Sequence, residues 1–127
     1  MPLIVNAQVS AVPNFTFNLE ETRAFFAQQD AQSADSRFVK LKSELREMRT
    51  LLSWSPACGR TARFLTAHSM QVQLRAEAIL ELAKQVGLPC LREYVVARHI
   101  VLYAHSDSEV VLLALKHQRQ LTYSVVH

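Results

Sequence analysis

The sequence is poor in residues that break a chain. Its 127 residues include 2 glycines and 4 prolines. That is too few for a low-complexity tail or a flexible linker, so residues 1–127 are expected to form one domain of ordinary size. Cysteine is equally scarce: Cys58 and Cys90 are too few and too far apart to imply a disulfide framework, and two buried or idle thiols are expected. No run of about eighteen apolar residues occurs, so no segment is expected to span a membrane. The opening Met1-Pro2-Leu3-Ile4-Val5 lacks a basic flank and is too short for a signal peptide, and the cytoplasm is the expected location. Gly59 and Gly87 are isolated, which excludes a glycine-rich phosphate loop, and no Gly-x-Ser-x-Gly elbow occurs. His68, His99, His105, His117, His127 and the two cysteines never fall at Cys-x-x-Cys or His-x-x-x-His spacing, so neither a metal site nor a cofactor is expected.

Acidic residues are absent from one long stretch. The chain carries 14 Lys+Arg against 11 Asp+Glu, a net charge of +3. No Asp or Glu falls between Glu47 and Glu77, whereas Arg49, Arg60, Arg63 and Arg75 all do. Such a segment is either a solvated loop with uncompensated charge or a surface for an anionic partner. Trp54 and Phe64 lie beside Arg60 and Arg63; they form a stacking platform or, more commonly, core, with Trp54 closing the end of a helix.

What the chain does contain is periodic. Leu3–Val9 reads as a strand. Asn18 followed by Leu19, Glu20 and Glu21 has capping-box spacing, so a helix is expected from Asn18 to about Gln29, burying Leu19, Phe25 and Phe26. After a break at residues 31–34, Phe38, Leu41, Leu45, Met48 and Leu52 recur at steps of three and four, the stripe of a second helix from about Asp35 to Leu52. So short a join makes the two an antiparallel hairpin. Pro56 and Gly59 then break the chain. A third helix is expected from about Ser69 to Val86, with Val72, Ile79, Leu82 and Val86 as its stripe. Lys84, Gly87 and Pro89 mark its end.

Three apolar runs of strand length close the sequence: Glu93–Ala97, Ile100–His105 and Glu109–Leu115. Ser106-Asp107-Ser108 reads as the hairpin loop between the last two. The last two are apolar on both faces, which requires cover on both. The helical hairpin supplies one cover, and the third helix is available for part of the other. The expected architecture is α+β: an N-terminal strand, a helical hairpin, an extra helix, then a three-stranded antiparallel meander that the first strand is free to join. The last run ends in Lys116-His117-Gln118-Arg119-Gln120, a cationic and titratable cluster suited to a polyanion or an acidic partner.

Taken in order, these segments resemble the RelE/ParE superfamily of toxins from bacterial type II toxin–antitoxin systems. The N-terminal strand and helical hairpin are of that kind. So are Ala34-x-x-x-Phe38 with Leu41, Leu45 and Leu52, leading into Pro56-Ala57-Cys58-Gly59-Arg60, which matches a recurrent Pro-x-x-Gly-Arg after the second helix. Leu91-Arg92-Glu93-Tyr94-Val95-Val96, Val101-Leu102-Tyr103 and Leu112 to Gln120 resemble the strands that follow. The resemblance covers nearly the whole chain; the departure is the helix from Ser69 to Val86, where a short connection is expected.

The resemblance implies a growth inhibitor of the plasmid-stabilization kind, neutralised by an acidic, partly disordered antitoxin with which it forms a hetero-oligomer. Members similar to ParE act on DNA gyrase and need no nuclease residues. Members similar to RelE are ribosome-dependent mRNA endoribonucleases. A metal-free RNase needs an acid or base and phosphate-binding cations. His117 suits the first role and Arg119 and Arg98 the second, with Arg92 a further candidate. Arg60, Arg63, Arg92, Lys116 and Tyr123 are the candidates for partner contact, and Tyr123 could also stack on a base or donate a proton. The alternative for His117 and Arg119 is that they only cap the sheet end and anchor the C-terminus. A thin inventory of catalytic groups and a modest charge favour the ParE-like branch. A non-toxic interaction module of the same fold is the remaining alternative.

Overall fold

The computed structural model describes residues 6–62, 70–120 and 122–125, and of residues 70–75 the backbone alone. Strand β1 (Gln8–Ala11) leads into helices α1 (Pro13–Gln29) and α2 (Ala31–Trp54). A 3₁₀ turn at Pro56–Cys58 and the two-residue strand β2 (Arg60–Thr61) follow. Helix α3 (Met70–Val86) then precedes the meander β3 (Cys90–Val96), β4 (His99–His105) and β5 (Glu109–His117). The strands form one sheet in the order β1-β5-β4-β3-β2. The expected α+β order is present, with two changes in the sheet. β1 joins it parallel to β5, Gln8 opposite Glu109, so the sheet is mixed rather than wholly antiparallel. β2 adds an outer strand against β3; two residues are too few to show the alternation by which a strand is read. Of the expected first strand, residues 1–5 lie outside the described residues.

The start of α1 differs from the capping-box reading, while its end at Gln29 is as expected. The helix starts at Pro13, whose ring pre-sets φ and whose missing N–H has no helical partner to lose. Asn18 is therefore inside the helix and buried. The break is one residue, not four. Asp30 is extended (φ −160°, ψ 100°), and its carboxylate accepts from the Gln32 N–H at 3.1 Å and the Ser33 hydroxyl at 3.0 Å, capping α2 as it ends α1. Phe15 and Phe26 face the core, while Phe25 is 49% exposed; neighbouring helical residues lie about 100° apart, so only one of that pair can point inward. Trp54 is likewise 63% exposed rather than closing the helix, because two residues carry it about 200° round from buried Leu52.

The α2 stripe is as expected. Phe38, Leu41, Leu45, Met48 and Leu52 are buried against Val101, Tyr103, Val110, Leu112 and Leu115. On the opposite face Ala76 and Ile79 of α3, with Ala62 and Tyr123, pack on Ile100, Leu102, Ala104, Val111, Leu113 and Ala114. The third helix does cover part of the second face, and β4 is buried along its whole length. α3 ends at Gly87, whose φ of +76° is the left-handed turn that glycine accepts without a Cβ clash.

One irregularity positions everything that follows. Tyr103 lies opposite Leu112 but Leu102 opposite Ala114, so Leu113 is an extra residue, a β-bulge. The edge of β5 beyond the reach of β1 is closed by α1 instead. Asn14 Nδ2 donates to the Leu113 carbonyl at 3.1 Å, and Asn18 Oδ1 accepts from the Leu115 N–H at 3.0 Å. The same two amides hold the Ser124 carbonyl at 3.0 and 3.3 Å. One turn apart on α1, they satisfy a strand edge that would otherwise be left without a partner.

Candidate functional site

Side chains alternate across a strand, so an extra residue reverses the alternation beyond it. Ahead of the bulge Val110 and Leu112 face α1 and α2; beyond it that face belongs to Leu115. Lys116 is thereby delivered to the α3 face and His117 to the α1–α2 face. The candidate residues fall into three groups rather than one.

The first group is on the α3 face. Glu93 is 3% exposed and its carboxylate accepts a short hydrogen bond from the Tyr123 hydroxyl. Arg60 Nε stands 3.5 Å from the other Glu93 oxygen, an ion pair to a guanidinium 32% exposed. Lys116 is buried, donates to the Gln120 carbonyl at 2.8 Å and sits 5.3 Å from the centre of the Tyr123 ring. Burial, then the Glu93 charge and hydrogen bond, push the Tyr123 pKa far up, so the phenol stays neutral. Buried in this way, Tyr123 has no open face on which a base could stack. Arg60 is paired by an acid distant in sequence, which a scan of the local charge run could not register.

The second group locks the turn between α2 and the sheet. The Tyr103 hydroxyl accepts from the Gly59 N–H at 2.9 Å and donates to the Pro56 carbonyl at 2.7 Å. A Cβ on Gly59 would meet that hydroxyl at 2.5 Å and the Glu93 carbonyl at 2.6 Å. Glycine in Pro56-Ala57-Cys58-Gly59-Arg60 is thus required by close approach. Arg92 closes the turn, donating to the Gly59 carbonyl at 3.0 Å and to His105 Nε2 at 3.1 Å. Arg92 is a structural clasp here. Burial pushes the Tyr103 pKa up to about 12.

The third group is at the rim of the α1–α2 face. His99 and His117 are directly opposite on β4 and β5, their rings edge-to-face with centres 5.4 Å apart. His99 also meets Phe26 edge-on at 6.0 Å, and the Arg37 guanidinium lies 4.1 Å over the Phe26 ring. Arg98 is in the β3–β4 turn, and its carbonyl accepts from the Gln118 N–H at 2.8 Å. The Arg119 N–H donates to His117 Nδ1 at 3.1 Å. Burial, then the charges of Arg119, Arg98, Arg37 and Lys116, lower the His117 pKa. Burial, then His117 and Arg37, lower that of His99 to about 4. Because His117 Nδ1 accepts, the neutral ring carries its proton on Nε2 and offers a donor there.

The structure thus brings His117, Arg119 and Arg98 together, adds Arg37 and His99, and separates all five from Arg60, Lys116 and Tyr123. Arg63 lies outside the described residues. Arg37 was missed because it sits beside the helical stripe with nothing local to mark it; His99 was legible only as a strand-end histidine. Among the described residues no three of His, Cys, Asp and Glu come together as a metal ion would require. Nor is any described helix long and apolar enough to cross a membrane.

The order of a strand, a helical hairpin and a meander closed by that first strand is that of a RelE/ParE-like fold, here with five strands in mixed order and an added helix. A solved structure, the chromosomal ParDE TA system from P. aeruginosa, contains a chain to which this one is similar, with a TM-score of 0.53 and 9% sequence identity over 87% of this chain and 95% of that one. No protein-family model matches the sequence. No curated protein matches it.

Proposed function

We propose that this chain is the toxin of a type II toxin–antitoxin module, a cytoplasmic growth inhibitor of the ParE-like kind that acts on DNA gyrase by binding and is neutralised by a cognate antitoxin. The observation that carries the reading is the fold likeness to a ParDE system over nearly all of both chains. The ParE-like branch draws support from the chemistry of the two faces. On the α3 face the polar groups are largely engaged internally: Tyr123 and Lys116 are buried and hydrogen-bonded, and Arg60 is ion-paired with Glu93, although its buried Nε makes no hydrogen bond among the described residues. At the rim, the lowered pKa of His117 makes it a poor acid near neutral pH. Its Nδ1 is occupied by the Arg119 N–H and its Nε2 carries the proton, so it is a poor base in that tautomer. Binding needs neither role.

An antitoxin segment bearing carboxylates would approach Arg60 from β2, the outermost strand, and compete with Glu93 for it. Such binding is coupled to ordering of the segment and weakens as salt rises. The test uses the purified chain with gyrase and relaxed plasmid, beside a translating extract. Block of supercoiling, or trapping of cleaved DNA, without ribosomes is the expected result, with His117→Ala as active as the parent once stability is matched. Codon-phased mRNA cleavage lost in His117→Ala by roughly 10²–10⁴-fold would establish the RelE-like reading instead. Expression without effect on growth, and no acidic partner co-purifying from the neighbouring reading frame, would leave a non-toxic interaction module.

A further inference from the structure

The rim of the α1–α2 face gathers positive charge, and the charges that act on His117 there are all cationic. Its charges come from separate parts of the chain. Arg37 is on α2, Arg98 is in the β3–β4 turn and Arg119 follows β5; all three are exposed. Fixed contacts bring the segments that carry them together: the Arg98 carbonyl accepts from Gln118, the Arg119 backbone N–H donates to His117, and His117 stands against His99, whose ring meets the Phe26 that the Arg37 guanidinium overlies. Gln29 Oε1 further holds Arg37 by a hydrogen bond of 3.1 Å. The ion pair found among the described residues, Arg60–Glu93, is on the other face.

We propose that Arg37, Arg98, Arg119 and the Nε2–H of His117 bind a phosphate group at this rim. Like charges gathered without counter-charge cost stability, and an anion that removes the repulsion binds with that cost returned. Guanidinium groups present paired N–H donors that match phosphate oxygens. The neutral imidazole contributes a fourth donor without first taking up a proton. The charged groups around His117 are all positive: α2 presents Arg37, the turn Arg98 and the chain after β5 Arg119, with Lys116 behind on the opposite face, while α1 presents the uncharged Phe26 and β4 the neutral His99. Burial is the main cause of the depressed pKa values of His117 and His99, and the charges of Arg119, Arg98, Arg37 and Lys116 lower that of His117 further. The site is distinct from the Arg60–Glu93–Tyr123 face and does not depend on the toxin reading.

The experiment follows the imidazole resonances of the full chain by NMR through a pH titration, alone and with inorganic phosphate, pyrophosphate or a short oligothymidylate. Binding is expected to raise the His117 midpoint by roughly half a unit or more, since a nearby anion favours the charged ring. His105, at the far end of β4, should not move. Arg98→Gln with Arg119→Gln should weaken binding by roughly tenfold or more, with an unchanged melting temperature showing that the fold is retained; Arg37→Gln alone should weaken it less. An oligothymidylate preferred over pyrophosphate, with a steep salt dependence, identifies a nucleic-acid backbone as the source of the phosphate. The reverse preference identifies a free phosphorylated compound. The proposal is overturned if none of the three probes moves the His117 midpoint, or if the shift persists in the Arg98→Gln, Arg119→Gln protein.

Discussion

The two faces of this sheet bury apolar area by different means. On the α1–α2 face a helical stripe of large side chains, Phe38 to Leu52, packs with Phe15 and Phe26 over the sheet, buried Tyr103 ties the turn after α2, and the cationic groups gather at the rim. On the α3 face small residues, Ala62, Ala76, Ala104 and Ala114, alternate with larger ones such as Ile79, Leu102 and Leu113, and its polar groups are interior: Glu93 is held by Tyr123 and paired with Arg60. Each face teaches something about the other. Where a stripe is continuous, polar groups can stay at the margin and remain available to a ligand. Where the cover is short, a polar tether from the C-terminal segment helps to close it, and its groups are spent on the fold.

The strongest way to break this contrast is through the stripe. Leu45→Ala, in the middle of α2 and 5% exposed, should destabilise by about 2–5 kcal/mol, a large share of a small domain's stability; a chemical melt unchanged by it would remove α2 from the core. The rim of the same face should show itself in pH. His99 has a folded pKa of about 4 against 6.5, so below pH 6.5 the unfolded chain binds more protons than the folded one. Stability is then full above about pH 6.5 and falls as pH drops toward 4, by up to roughly 3 kcal/mol. Melts of His99→Gln across that window should be flatter than those of the parent.

On the α3 face Tyr123→Phe keeps the ring beneath Lys116 but removes a hydrogen bond to a buried carboxylate. It should cost about 1.5–3 kcal/mol, and a loss below the measurement error would show that the tether contributes nothing. Asn18→Ala leaves the Leu115 N–H without its partner and should cost about 1–3 kcal/mol, with faster amide exchange localised to β5 beyond the bulge. The smallest effect belongs to the rim itself: His117→Ala should change stability by no more than about 0.5 kcal/mol, because the ring is half-exposed and its removal relieves some cationic repulsion.

Much of the fold was legible because its signals are local. The α2 stripe, the Gly87 stop and the apolar strands each declare themselves within a dozen residues, where period and turn chemistry are decided by neighbours in the chain. Asn18 misled for the same reason. Its spacing to Glu21 is that of a helix start, and the two do bond, at 3.2 Å, but Pro13 had already begun the helix and the Asn18 amide is occupied by the edge of a strand 97 residues on. Arg60 misled similarly: its segment lacks acids, while its partner Glu93 comes from the neighbouring strand.

By itself the sequence determined the element order, the faces of the helices, the end of α3 and the types of residue gathered after β5. Only the tertiary structure decided how those residues are divided. Leu113 carries no local mark of a bulge; it is extra because β4 and α1 together accept that register, with Asn14 taking its carbonyl and Asn18 the next free N–H. One added residue reverses the alternation of a strand. Lys116 is therefore buried beside Tyr123, and His117 joins Arg37, Arg98, His99 and Arg119 on the opposite side of the sheet.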